Sequence, residues 1–228
     1  MLTERRIAEE QMDAADLDAV TYARVLTDLG RVNRITLAAR PTLGFLGRAL
    51  GNRTSFRLLD VGFGDGGMLR SIARWAERRG MACELVGIDL NAKSAAVAQA
   101  ATGAGAPIRY LTGDYADLAG ERFDCVISSL VAHHMTKGQM VAFLRFMEAE
   151  AVAGWFVNDA LRHGFAYLGY PWLARIMGVH RIVREDGQLS IARSYRAAEW
   201  LPLLAAADVP QARVFCAFPF RLCVERLR

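Results

Sequence analysis

Short apolar runs alternate with helical stretches between about residue 56 and residue 159 of the chain. Five of the runs have the length and composition of buried strands, at 56–61, 83–88, 107–111, 123–128 and 152–157. Helical stretches follow the first, second and fourth runs, at 68–79, 92–101 and 137–148. Strands that alternate with helices predict right-handed βαβ units and a parallel sheet that is covered on both faces.

The first fifty residues have a helical pattern instead. Apolar residues recur at intervals of three and four up to Leu29, which predicts a helix that stops at Gly30. A second helical run continues as far as Pro41. We therefore predict a helical cap over residues 1–50 on a domain formed by residues 51–228. The cap is either a solvated appendage or a lid over a site.

The last thirty residues change pattern again. A helix at 197–207 precedes two β-prone runs, at 213–217 and 220–224, which have the spacing of a terminal hairpin. The fold predicted from these patterns is α/β and Rossmann-like. It has a doubly wound, mostly parallel seven-stranded sheet, a C-terminal antiparallel hairpin and the N-terminal helical cap.

Composition excludes one class of protein and disfavours another. The 228 residues are 53% hydrophobic and 23% charged, a balance that intrinsically disordered chains do not have. The formal net charge is only +4, and the arginines are scattered, whereas nucleic-acid-binding proteins cluster basic residues on one face. We therefore predict no nucleic-acid partner.

The spacing of the cysteines indicates whether the chain binds a metal, and the length of its apolar runs indicates whether it enters a membrane. The four cysteines form no CxxC pair and no His–Cys cluster with zinc-ligand spacing, so we predict structural cysteines and no metal. No apolar run follows the basic start, and the uncharged stretch at 164–174 is too short to span a bilayer. These patterns predict a cytoplasmic protein without stable membrane insertion.

A glycine-rich loop with the sequence DVGFGDGG, at 60–67, closes the first predicted strand. Its glycines fit both G-x-G-x-x-G, the dinucleotide pattern, and G-x-G-x-G. Carboxylates flank the loop at Asp60 and Asp65, and a like charge about 4 Å away costs on the order of 4 kcal/mol at an effective dielectric of about 20. The loop therefore disfavours a pyrophosphate and favours the ammonium and sulfonium groups of S-adenosylmethionine.

Polar residues end the next three strands of the predicted sheet. Asp89 follows the second strand and can accept hydrogen bonds from a ribose diol. Asp114 and Tyr115 follow the third strand, where they can meet the amine and the face of an adenine. Ser129 follows the fourth. Because ligands of open α/β sheets bind beyond the carboxyl ends of the strands, we predict that these residues share one cofactor site.

The stretch from residue 56 to residue 159 resembles a class I S-adenosylmethionine-dependent methyltransferase. The segments LLDVGFGDG, GIDL, GDY and FDCVISSL are similar to four successive motifs of that family. The resemblance implies contacts to S-adenosylmethionine in three groups: its methionine end on Gly62 and Gly64, its ribose on Asp89, and its adenine near Leu90, Asp114 and Tyr115.

Three further segments bear on the kind of methyl acceptor. VAHHM, at 131–135, is similar to the double-histidine segment of quinone-biosynthesis methyltransferases. NDALR, at 158–162, and PFR, at 219–221, loosely resemble bacterial enzymes found beside polyketide synthases. Enzymes that methylate exocyclic base amines carry an Asn/Asp-Pro-Pro-aromatic run after the fourth strand, where this chain has SSLV. That departure argues against methylation of nucleic acids.

The double histidine is the predicted catalytic element. A phenol has a pKa of about 10, and a histidine positioned near it can act as the base. Adjacent side chains diverge, so at most one of the two should face the methyl group. His134 is our first choice and His133 the second. The alternative is that both histidines are structural. Arg162, His163, Phe165 and Tyr167 are predicted substrate contacts in an aromatic segment, which is either a substrate wall or a helix packed into the core.

The predicted function is methyl transfer from S-adenosylmethionine to an oxygen, less readily a carbon, of a small aromatic, quinol or polyketide-like molecule. Two alternatives stay open. The same glycines fit a nicotinamide-dependent oxidoreductase, and the same site fits a protein that binds S-adenosylmethionine without transferring its methyl group. The expected partners are a lipophilic small molecule and a second copy in a homodimer.

Overall fold

The computed structural model describes residues 2–228. Its centre is a seven-stranded sheet in the order β3-β2-β1-β4-β5-β7-β6. The strands are β1 (Ser55–Val61), β2 (Ala82–Asp89), β3 (Ile108–Thr112), β4 (Phe123–Ser129), β5 (Ala151–Ala160), β6 (Arg213–Ala217) and β7 (Arg221–Leu227). β1 to β5 are parallel, and β7 pairs antiparallel with both β5 and β6. The predicted α/β sheet and its terminal hairpin are confirmed.

Eight α-helices surround the sheet within the described residues. They are α1 (Ala19–Ile35), α2 (Ala39–Leu50), α3 (Gly67–Glu77), α4 (Ala92–Ala100), α5 (Lys137–Glu150), α6 (Gly164–Ile176), α7 (Arg181–Arg193) and α8 (Ala197–Ala206). Short 3-10 turns lie at Gln11–Asp13, Tyr115–Leu118 and Ala132–His134. None of the helices in residues 2–228 is both long and apolar enough to cross a bilayer.

Two hydrophobic layers cover the two faces of the sheet. Adjacent residues of a strand point to opposite faces, so Leu58 belongs to the layer formed with α2 and α3, and Leu59 to the layer formed with α5 and α8. Phe45 of α2 stacks on Phe156 of β5, with ring centroids 5.0 Å apart. The central strands are therefore buried on both faces. Their carboxyl ends, which carry polar residues, are not covered by these layers and can contact a ligand.

The N-terminal helices depart from two boundaries predicted by the sequence. α1 runs through Gly30, where a Cβ would lie 2.5 Å from Asp65 Oδ2, so the glycine permits close approach to the glycine-rich loop and does not end the helix. Pro41 lies in the first turn of α2, where the missing N–H costs no hydrogen bond. Both predicted boundaries were wrong. Gly30 packs against the glycine-rich loop from inside α1, and Pro41 lies in a first helical turn, which tolerates proline.

Residues before α1 are held across the molecule by α7, a helix that the sequence analysis did not predict. The Asp186 carboxylate accepts hydrogen bonds from the backbone N–H groups of Gln11, at 3.0 Å, and Met12, at 2.9 Å. Arg6 N–H donates to the carbonyl of Ala192 at 3.1 Å. The first segment of the chain therefore lies over the carboxyl ends of the strands.

Candidate active site

A cavity of about 1290 Å³ lies beyond the carboxyl ends of β1, β2 and β4, where open α/β sheets bind their ligands. Its wall combines the glycine-rich loop, the ends of β2 and β4, the double histidine, and parts of α1, α6 and α7. Residues from the N-terminal segment and from the turn between β6 and β7 complete it. One cavity thus joins segments that are distant in the sequence.

The glycine-rich loop requires glycine at its first turn. Gly62 has φ +78°, and a Cβ there would collide with Val131 Cγ2. Gly64 has φ +54°, and its N–H donates to Asp89 Oδ2 at 3.0 Å. The first glycine lets the loop approach the segment after β4, and the second ties the loop to the end of β2.

Asp60 is a buried carboxyl group on the wall of the site. Its side chain is on the cavity wall with the residue only 1% exposed, and neither carboxylate oxygen has a hydrogen-bond partner. Burial, together with the neighbouring carboxylates Asp89 and Asp65, raises the pKa of Asp60 to about 8. A buried carboxyl group without partners is costly, so this position suits a ligand that brings a cationic hydrogen-bond donor.

The other two carboxylates near the loop already have partners. Asp65 pairs with Arg70, with Nη2 to Oδ2 at 3.0 Å, and accepts from Gly67 N–H at 3.0 Å. Asp89 also accepts from Asn91 N–H at 2.9 Å, and burial raises its pKa. Carboxylates flank the loop as the sequence indicates, but the two differ: Asp60 has no hydrogen-bond partner, whereas Asp65 is paired with Arg70.

The predicted adenine contacts divide into two kinds. Leu90, 77% exposed, and Tyr115 line the cavity. Asp114 is not on the cavity wall: its carboxylate accepts from Ala116 N–H at 2.9 Å and caps the 3-10 turn that carries Tyr115. The predicted cofactor residues on the wall are Asp60, Gly62, Gly64, Asp89, Leu90, Tyr115 and Ser129.

His133 is held from two sides by Asp159. Its Nδ1 lies 2.7 Å from Asp159 Oδ1, and its backbone N–H donates to Asp159 Oδ2 at 2.8 Å. The residue is 2% exposed, and Nε2 has no hydrogen-bond partner. Burial lowers the pKa of His133, but Asp159 and Glu10 outweigh it and raise the pKa to about 9. The same interaction with His133 outweighs burial in lowering the pKa of Asp159.

Glu10 reaches both histidines from the N-terminal segment. Its Oε1 lies 3.5 Å from His133 Nε2 and 3.7 Å from His134 Nε2, and it accepts from Ser190 Oγ at 2.7 Å. Asp13 Oδ2 lies 3.3 Å from His134 Nδ1. Glu10 was not among the predicted site residues, because no local sequence pattern connects it to histidines more than a hundred residues away.

One of the four predicted substrate residues lines the cavity. Phe165 does so, whereas Arg162 is buried and paired with Glu199, and His163 caps α6 by accepting from Phe165 N–H at 3.2 Å. Tyr167 is also absent from the wall. Arg162 and His163 precede α6, and within α6 the side chains of Phe165 and Tyr167, two residues apart, point to different sides of the helix, so only Phe165 reaches the wall.

Arg221, at the start of β7, is a cavity residue without a predicted role. It is buried, its Nη1 has no partner, and its Nη2 makes only long contacts, 3.5 Å to Asn33 Oδ1 and 3.3 Å to Thr36 Oγ1. Burial lowers its pKa against the opposing effect of Asp159. The sequence pointed to this residue only through the PFR segment.

Comparison with known proteins agrees with this geometry. Residues 58–149 match the family model described as a methyltransferase domain. No curated protein sequence matches the chain.

Three solved structures share the fold. Human N-acetylserotonin methyltransferase in complex with S-adenosylmethionine has a TM-score of 0.67 at 14% identity, over 98% of this chain and 60% of that chain. Magnesium protoporphyrin IX methyltransferase from Synechocystis PCC 6803 has a TM-score of 0.59 at 20% identity, over 94% and 90%. The plantazolicin methyltransferase in complex with a triazolic analogue has a TM-score of 0.64 at 16% identity, over 86% and 71%.

The family match and the fold point to the same class of protein. Residues 58–149 match the methyltransferase-domain family, and the chain has the fold of methyltransferases solved with S-adenosylmethionine or S-adenosylhomocysteine. This confirms the resemblance drawn from the four sequence motifs. The chain spans about 60% of the length of the human enzyme, so its acceptor is a separate question.

Proposed function

We propose that this protein transfers the methyl group of S-adenosylmethionine to an oxygen, less readily a carbon, of a small aromatic, quinol or polyketide-like molecule. One observation carries the proposal. A single cavity joins a glycine-rich loop that holds the unpartnered carboxylate of Asp60 to an apolar region that ends at the double histidine. A cationic methyl donor fits the first part and a ring-bearing acceptor the second.

The cofactor is proposed to lie along the ends of β1, β2 and β3. Asp60 would accept from the ammonium group, and the loop amides would meet the carboxylate of the methionine end. Asp89 has lone pairs left beyond its two backbone hydrogen bonds and would accept from the ribose hydroxyls. Leu90 and Tyr115 would border the adenine, with Asp114 holding the turn that carries Tyr115.

The remaining volume is large enough for an acceptor. Ligand pockets usually measure about 300–1,000 Å³, and this cavity is larger. Leu29, Phe165 and Phe220 contribute apolar surface to its wall. An apolar site does not oppose the reaction, because the positive charge of the sulfonium disappears when the methyl group leaves.

The transfer is an in-line displacement. A lone pair of the acceptor oxygen forms the new O–CH₃ bond, and the pair of the breaking C–S bond stays on sulfur, which gives S-adenosylhomocysteine. The hydroxyl proton must leave, and His134 is proposed to accept it from the cavity wall. His133, whose pKa Asp159 and Glu10 raise to about 9, holds a proton at neutral pH and is proposed to contact the same oxygen. A group that assists proton removal in this way contributes about 10²–10⁴-fold.

The test is label transfer. The protein is incubated with S-adenosylmethionine carrying an isotope-labelled methyl group and with a mixed library of phenols, resorcinols and quinols, and products are identified by mass spectrometry. We expect a labelled ether, with C-methyl products minor or absent. Binding of the cofactor without any labelled product across the library would favour a non-catalytic binding protein.

Two further predictions accompany this proposal. A homodimer is expected, and sedimentation velocity tests it directly. The cytoplasmic location also stays a prediction, which fractionation of the native cell would test.

A further inference from the structure

Three potential ligands converge on one point of the cavity wall. Glu10 Oε1, His133 Nε2 and His134 Nε2 come from the N-terminal segment and from the turn after β4. We propose that this trio, here called the His–Glu cluster, binds a divalent transition-metal ion such as zinc, and that the ion contacts the acceptor. The contact between the ion and the acceptor rests on the proposed function, whereas metal binding by the cluster does not.

The ligand atoms of the cluster lie within 4.8 Å of one another, and the two distances from Glu10 are close to those on a metal ion. Ligands on a tetrahedral zinc ion with bonds of about 2.0–2.1 Å lie about 3.3–3.4 Å apart. Glu10 Oε1 is 3.5 Å from His133 Nε2 and 3.7 Å from His134 Nε2. These distances are too long for good hydrogen bonds, so the three groups converge without satisfying one another.

His133 is oriented as a metal ligand usually is. A ligating histidine commonly gives its other ring nitrogen to a carboxylate, which fixes the ring and makes the ligand more basic. Asp159 Oδ1 takes this place at 2.7 Å from Nδ1, and the backbone N–H of His133 holds the other carboxylate oxygen. The opposite nitrogen, Nε2, is buried, without a hydrogen-bond partner, and directed at the cluster.

Glu10 is positioned independently of any ion. Ser190 Oγ donates to its Oε1 at 2.7 Å, and Arg193 Nη1 lies 3.5 Å from the same oxygen. Arg193 opposes a cation, but Glu10 and Asp159 together supply two negative charges around His133. Two imidazoles and one carboxylate form a donor set that zinc, iron and cobalt accept.

The position of the cluster would place a bound ion next to the acceptor. All three residues line the cavity, so a bound ion would have its remaining coordination position on the acceptor side. Catalytic zinc sites with three protein ligands keep such an open position. With an ion bound, the histidines would be its ligands, and the ion would take over the contact with the acceptor oxygen and polarise it so that the hydroxyl proton is lost more readily.

The test measures metal binding in the absence of cofactor and acceptor. Chelator-treated wild-type protein is titrated with zinc chloride by calorimetry, and with cobalt chloride by visible absorption. We expect one ion per chain and the intense visible bands of low-coordinate cobalt. Glu10→Gln should weaken zinc binding by at least about tenfold, and His134→Asn should abolish the cobalt bands. Glu9→Gln, a change of the exposed neighbour, should leave both signals unchanged.

Two results would overturn the inference. The first is no stoichiometric zinc binding by the wild-type protein. The second is equal binding by wild type, Glu10→Gln and His134→Asn, which would place the ion elsewhere, for example on the exposed Cys216. Thermal melting of each variant without metal confirms that it is folded. A parallel titration with S-adenosylhomocysteine separates failure of the metal site from failure of the proposed function.

Discussion

The two halves of the cavity are built in different ways. The part proposed for the cofactor, here called the cofactor half, comes from one continuous stretch, in which the ends of β1, β2 and β3 place Asp60, Asp89 and Tyr115 side by side. The part proposed for the acceptor, here called the acceptor half, is assembled from α6 and two remote segments, which bring Glu10 and Arg221 to the same wall. The sheet positions the first half directly, whereas tertiary packing positions the second. Changes in the two halves should therefore separate cofactor binding from methyl transfer.

We expect His134→Asn to separate methyl transfer from cofactor binding most strongly. The side chain borders the cavity and does not belong to the cofactor half. We expect kcat to fall by about 10²–10⁴-fold, while the Kd for S-adenosylmethionine stays the same. Steady-state kinetics and calorimetry on one preparation measure both quantities. An unchanged kcat would remove His134 from the chemistry.

Gly62→Ala should have the converse effect. The added Cβ would collide with Val131 Cγ2 at a positive φ, and overpacking of this kind costs about 1–3 kcal/mol. Because the strain falls on the loop conformation that binds the cofactor, we expect affinity to fall by about 5–150-fold. Gly64→Ala is the matched control, since its Cβ would meet only Leu26 Cδ2 at 3.8 Å. Equal losses in the two variants would show that backbone strain, and not the approach to Val131, decides the affinity.

Asp60→Asn should weaken cofactor binding by about tenfold and stabilise the unliganded protein by about 1–3 kcal/mol at pH 8. The folded-state pKa of about 8 lies above the ordinary carboxyl value, so the folded state holds a proton that the unfolded state has lost. Stability therefore falls as the pH rises between about 4 and 8 through this group. Urea denaturation at several pH values should show a shallower fall in the variant.

The same carboxyl group predicts a pH dependence of cofactor binding. A cationic ligand binds the ionised form of Asp60, so wild-type affinity should rise as the pH increases towards 8. Asp89 and Asp65 face the same group and contribute to the shift. In Asp60→Asn this rise should be reduced, and an equally steep rise in the variant would assign it to another group.

Phe165→Ala should give the smallest effect. The ring contributes apolar surface to the acceptor half, and losing it costs about 1 kcal/mol, which raises the KM for an aromatic acceptor by about fivefold. Leu168→Ala, an exposed position of the same helix that is not on the cavity wall, is the control. Similar KM values for both variants would exclude Phe165 as an acceptor contact.

The same contrast explains what could be predicted from the sequence. The sheet and most of the cofactor half follow from local patterns, because apolar runs determine the strands and parallel strands place their carboxyl ends along one edge. Asp114 is the exception. Its position after β3 predicted a ligand contact, but an aspartate there can also cap the following turn, as it does in the structure.

The acceptor half could not be predicted in the same way. Nothing in the segment around Glu10 indicates contact with His133, since that contact depends on the hydrogen bonds of Asp186 and Ser190 on a helix that the patterns did not predict. Arg162, in contrast, was predicted to contact substrate but does not line the cavity. It looks like a free cation in the sequence, but folding pairs it with Glu199 on α8.

A crystal structure of the complex with S-adenosylhomocysteine tests the central claim most directly. We expect the ligand's ammonium group within hydrogen-bond distance of Asp60, its ribose hydroxyls on Asp89, and its sulfur facing the double histidine. Binding of the ligand elsewhere, or with its amino-acid end away from Asp60, would show that this cavity is not the cofactor site proposed here.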